Sequence, residues 1–88
     1  MMKTKYYKSV GKSKSKILFY EVSFEPQGEY EKLFTRMIYR NGSLGPRNTF
    51  YSKCGFKTHN ADLYEITKEQ FRKVCIKKRL FWESLKNG

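Results

Sequence analysis

The segment Ile17-Leu18-Phe19-Tyr20-Glu21-Val22-Ser23-Phe24 constrains the chain more than any other. Leu18, Tyr20, Val22 and Phe24 recur at period two, the repeat of a β-strand with one apolar face. Ile17 and Phe19 share the other face with Glu21 and Ser23. Pro26-Gln27-Gly28 then ends the strand.

Residues 29–40 carry two periodicities. Tyr30, Leu33, Phe34, Met37 and Ile38 fit an amphipathic helix, with Gly42 as its C-cap. Leu33, Thr35, Met37 and Tyr39 alternate well enough for one sheet face. Tyr, Phe, Thr and Ile favour strands, and Asn41-Gly42 is a hairpin turn signal, so the strand reading is preferred. Another strand is expected at Thr49–Cys54, Tyr6–Val10 and Leu63–Ile66 are each compatible with a short strand, and loops are expected at 43–48 and 57–62. Thr67-Lys68-Glu69-Gln70 is a capping box and the clearest helix start. Phe71, Val74, Cys75 and the stem of Lys78 would share one helical face.

These elements predict an α+β fold: a small antiparallel sheet of three or four strands, with one C-terminal helix over 68–80 packed on a face. The expected core joins Leu18, Tyr20, Val22, Phe24, Met37 and Phe50 to Phe71, Val74 and Cys75. A chain of 88 residues has room for one domain, and its 17% aromatic content supplies large buried area per residue. Gly11–Lys16 has no apolar side chain, so 1–16 reads as a basic, partly flexible N-terminal arm and 17–88 as the domain. No apolar run reaches membrane-spanning length and no apolar stretch follows the basic start, so a cytoplasmic protein is expected. Cys54 and Cys75 are then expected as reduced thiols, although a bridge between them is compatible with their spacing.

Charge is the second constraint. Lys and Arg number 19 against eight Asp and Glu, giving a formal charge of +11. Residues 1–16 hold six lysines and no acid, 17–31 hold four glutamates and no base, and 32–58 hold six bases and no acid. Such segregation can build a dipolar surface with one face for an anion. In size and charge the chain resembles small accessory proteins of phages and mobile elements.

The candidate chemistry follows from this surplus. Cations neutralise phosphates and release counterions, while exposed rings stack on unpaired bases. Arg47 to Lys57 combines both, with Tyr51 and Lys53 on one strand face and Phe50 and Ser52 on the other. On the helix, Arg72, Lys73, Lys77, Lys78 and Arg79 line a broad basic side suited to a phosphate backbone. Arg36 and Arg40 complete the set. Cys54, His59 and Cys75 are too few for a structural zinc site and contain no close Cys pair, so no metal and no cofactor are expected. Glu21, Glu25, Glu29 and Glu31 read as charge compensation instead of catalytic acids, and Gly42-Ser43-Leu44-Gly45 is no phosphate loop. The expected function is non-catalytic binding of nucleic acid, DNA or RNA. The rival expectation is a protein-interaction module or inhibitor docking on an acidic protein surface.

Overall fold

Alternation along the chain resolves into a five-stranded antiparallel sheet and one helix. The computed structural model of the protein describes residues 2–11, 17–53, 55–56 and 61–87. The strands are β1 (Lys3–Gly11), β2 (Ile17–Gln27), β3 (Tyr30–Met37), β4 (Asn48–Ser52) and β5 (Ala61–Ile66), and the helix is α1 (Lys68–Asn87). Their order in the sheet is β4-β3-β2-β1-β5. The α+β class is as expected, with five strands where three or four were expected. Residues 30–37 are strand, as strand propensity and Asn41-Gly42 indicate. The expected arm supplies an inner strand: β1 pairs with β2 on one side and β5 on the other.

Register assigns every side chain to a face, because residues directly opposite one another in an antiparallel pair point the same way. Tyr7 lies opposite Tyr20, Lys5 opposite Val22, Val22 opposite Thr35, Phe24 opposite Leu33, and Leu33 opposite Phe50. These residues form the first face. Tyr6 lies opposite Glu21, Glu21 opposite Arg36, and Lys32 opposite Tyr51, which places them on the second.

Each face has its own cover. The chain leaving β4 turns at Gly55, whose φ of 79° lies in the left-handed region. Phe56 then sits 5.6 Å from the Tyr7 ring and 5.3 Å from the Tyr20 ring, centroid to centroid. Val22 and Leu33, on the same face, are fully buried. On the second face the buried Phe71 of α1 packs against Tyr6 with ring centroids 4.7 Å apart and the rings tilted by 46°.

This corrects the expected core. Leu18, Tyr20, Val22 and Phe24 do not meet Phe71; the helix lies on the opposite side of the sheet. Ile66 pairs with Tyr6, so α1 starts beside Tyr6 and folds over the second face. Phe56 occupies the first. Leu18 and Phe50 lie towards the margins of that face and remain 38% and 40% exposed.

The ends of α1 are equally specific. Gln70 N–H donates to Thr67 Oγ1 at 3.1 Å, and Thr67 N–H donates to Gln70 Oε1 at 2.9 Å, completing the capping box. At its middle α1 rests on the 38–44 turn, where Ile38 bridges Leu44 and Tyr39 N–H donates to Ser43 O at 2.8 Å. Gly42 has φ 86°, and a Cβ there would lie 2.5 Å from the Cys75 carbonyl oxygen. Only glycine lets the turn approach so closely.

The helix continues to Asn87, beyond the expected end at 80. Its 20 residues span about 30 Å, whereas five strands stack to only about 20 Å. Phe71, Val74, Cys75, Lys78 and Trp82 face inward and are buried or half-buried. Phe81 and Leu85, close to the same stripe, are 64% and 59% exposed. The stripe outlasts the surface that covers its start.

Phe71→Ala should therefore cost about 3–5 kcal/mol, a large share of the ~5–15 kcal/mol of a typical domain. Thr67→Ala should cost about 1 kcal/mol, because it removes one cap. Urea unfolding of both variants checks the ranking, and equal losses would contradict Phe71 as the anchor of α1.

Candidate nucleic-acid interface

Helix α1 packs against Tyr6 near its start and against the 38–44 turn near its middle. Elsewhere on the second face, rings and lysines alternate along β3 and β4. Tyr30, Lys32 and Phe34 succeed one another at period two, and Tyr51 lies across from Lys32. Lys53 follows β4 and carries its Nζ 5.1 Å from the Tyr30 ring centroid. Lys32 Nζ lies 5.2 Å from the Phe34 centroid. Tyr51 is 63% exposed and Tyr30 45%.

Each lysine–ring pair at an exposed site contributes about 0.5–1 kcal/mol. The pairs hold cations beside the rings, and Tyr51 presents its ring to solvent. Such a ladder offers stacking surfaces and phosphate partners in alternation, the two contacts an unpaired nucleic-acid strand requires.

The other cations expected at the site have diverse placements. Arg36 donates from Nη2 to Glu21 Oε1 at 2.6 Å and from Nε to the same oxygen at 2.9 Å. Its guanidinium is thus engaged within the sheet. Arg40 sits in the turn beside α1, and Arg47 is exposed ahead of β4. Arg72, Lys73, Lys77 and Arg79 are exposed on α1, while Lys78 is half-buried. Tyr51 and Lys53 therefore belong to the sheet ladder, and Arg40, Lys77 and Lys78 meet at a separate cleft.

Sequence reasoning missed Tyr30, Lys32 and Phe34. It followed the Leu33, Thr35 and Met37 side of that strand. The opposite parity acquires meaning once β4 pairs alongside and brings Tyr51 and Lys53 next to it.

Two of the four glutamates of the acidic island, Glu21 and Glu25, lie across from cations of β3. Glu21 pairs with Arg36, and Glu25 accepts from Gln27 Nε2 at 3.0 Å and lies across from Lys32. Lys5 and Glu65 form a second ion pair at 3.6 Å. Cys75 is a free thiol whose pKa is raised, first by burial. Cys54 and His59, weighed as metal ligands, lie outside the described residues. Among the described residues no three His, Cys, Asp or Glu side chains gather as a metal site. No described helix is long and apolar enough to cross a membrane.

Burial pushes the phenols of Tyr6, Tyr7 and Tyr20 above their ordinary value of 10.0. A raised acid keeps its proton in the folded state after the unfolded chain has lost it. Its contribution to stability is complete below about pH 10 and is lost as pH rises through the folded value. Stability should accordingly decline above about pH 10, and Tyr20→Phe should flatten that decline. Chemical denaturation across an alkaline series measures both; an unchanged slope in Tyr20→Phe would refute the assignment.

In comparisons with known proteins, no family model, no curated protein and no solved structure matches the chain.

Proposed function

We propose that the protein is a non-catalytic nucleic-acid-binding module that holds an unpaired strand against the second face of its sheet. The observation that carries this reading is the ladder of Tyr30, Lys32, Phe34, Tyr51 and Lys53, in which rings and ammonium groups alternate. A duplex hides the faces of its bases, so stacking on this ladder requires an unpaired strand. The formal charge of +11 supplies the long-range attraction.

The rest of the charge has a different part. Helix α1 carries seven bases (Lys68, Arg72, Lys73, Lys77, Lys78, Arg79 and Lys86) against two acids, Glu69 and Glu83. Most of these bases are exposed and lie away from the β3–β4 ladder, with Lys86 beside the Trp82 ring. In this reading they raise the rate of encounter, while the ladder provides the close contacts.

Fluorescence anisotropy with a labelled oligothymidylate and with a duplex of equal length tests the proposal. The single strand should bind more tightly than the duplex, with affinity falling steeply as salt rises. Tyr51→Ala should cost about 1–3 kcal/mol of single-strand binding at unchanged salt slope. Lys53→Ala should reduce that slope by about one. A flat salt response, or Tyr51→Ala binding as wild type, would sink the proposal.

A further inference from the structure

We propose that a cleft between the 38–44 turn and the C-terminal half of α1 docks an acidic, amphipathic helix of a partner protein. The cleft measures about 460 Å³ and is lined by Arg40, Lys77, Lys78, Phe81, Trp82 and Leu85. Its site is separate from the sheet ladder, and the inference does not rest on the nucleic-acid reading.

Three observations identify the occupant. First, the floor is apolar: Phe81 and Leu85 lie one turn apart and are both exposed, and Trp82 is half-buried between them and the fold. Exposed side chains of this size mark a binding surface when they gather in one place. Second, all three charged lining residues are cations, contributed by two different elements. An apolar ridge with acidic flanks matches both features at once, and a helix is the form in which a short segment presents them. Third, the cleft is held in shape. Gly42 packs against the backbone of Cys75 and the side chain of Arg79, which fixes the turn bearing Arg40 against α1.

The same observations disfavour other occupants. A second copy of this chain would bring Arg40, Lys77 and Lys78 towards their own counterparts. A bilayer would meet one plane of α1, but its exposed apolar residues lie on two sides. Ile76 and Leu80 project roughly 140–180° away from Phe71, whereas Phe81 and Leu85 lie within roughly 80° of it. An unpaired nucleic-acid strand could stack on Phe81 and Trp82 but offers no aliphatic side chain to cover Leu85, so oligothymidylate is the competing occupant that the test must separate.

Trp82 is the only tryptophan in the chain and reports directly on the cleft. The probe is a tryptophan-free helical peptide of about 18 residues, with leucine at i, i+3, i+4 and i+7 and glutamate on the flanks. Binding should blue-shift Trp82 emission saturably. Lys77→Glu with Lys78→Glu should weaken binding about tenfold or more, and Leu85→Asp should do so independently. Circular dichroism checks that both variants keep their helix content. Tyr51→Ala should leave peptide affinity unchanged, which separates this site from the sheet ladder.

Four outcomes would overturn the proposal: no shift with the peptide; an equal shift with a scrambled peptide of the same composition; a shift with phosphatidylserine vesicles or oligothymidylate in place of the peptide; or a concentration-dependent shift of the protein alone with dimer formation in sedimentation. The last three would assign the cleft to non-specific contact, to a membrane or nucleic acid, or to a second copy.

Discussion

The placement of α1 on the second face depends on the contact between Tyr6 and Phe71. Tyr6 stands on an inner strand, and Phe71 is the most deeply buried side chain of α1. Their contact, with the capping box four residues earlier, sets where α1 begins and which side of the sheet it crosses. Once that point is fixed, helix length does the rest. The sheet is narrower than α1 is long, so an apolar stripe that starts as core ends as surface. The cleft at Trp82 is thus a geometric consequence of packing that begins at Tyr6.

Charge follows a comparable division. Glu21 and Glu25 of β2 lie across from Arg36 and Lys32 of β3, so part of the segregation along the sequence becomes juxtaposition across strands. Glu21 with Arg36 is the clearest case, partly shielded from water and joined by two hydrogen bonds to one oxygen. Breaking such a pair would leave a poorly solvated charge, so it specifies register as well as adding attraction. Among the described residues the largest excess of base lies on the helix. A dipolar surface inferred from blocks of charge thus takes a different form: Glu21 is neutralised across the strands of the sheet, while α1 carries seven bases against two acids.

Much of the fold was legible because it is local. The alternation in 17–24, the Asn41-Gly42 turn and the Thr67–Gln70 cap each depend on a few neighbouring residues. The helical face of Phe71, Val74 and Cys75 followed from spacing alone. What could not be read depends on residues far apart. Both faces of β2 carry apolar side chains, so alternation there did not say which face α1 would take. That choice rests on Ile66 pairing with Tyr6 and on Phe56 reaching Tyr7 and Tyr20. The candidate site was half-legible for the same reason. Tyr51 and Lys53 stood out within one basic-aromatic segment, but Tyr30, Lys32 and Phe34 join them only through the β3–β4 register. Arg36 looked available in sequence because Glu21 is fifteen positions away and directly across a strand.

The two candidate surfaces are chemically unlike, and that difference argues for two occupants. The ladder on β3 and β4 is a flat array in which polar and aromatic groups alternate, with cations held against rings. It suits a flexible polyanion whose charges and planar groups also alternate. The cleft on α1 concentrates its apolar groups in a floor and its cations around them, a pattern matched by an apolar helix face with acidic flanks. Packing explains why they separate. Strand periodicity distributes side chain types one by one along an edge, whereas helical periodicity gathers them into a stripe. A small chain that contains both kinds of element, and leaves part of the first and one end of the second uncovered, presents two surfaces of different character.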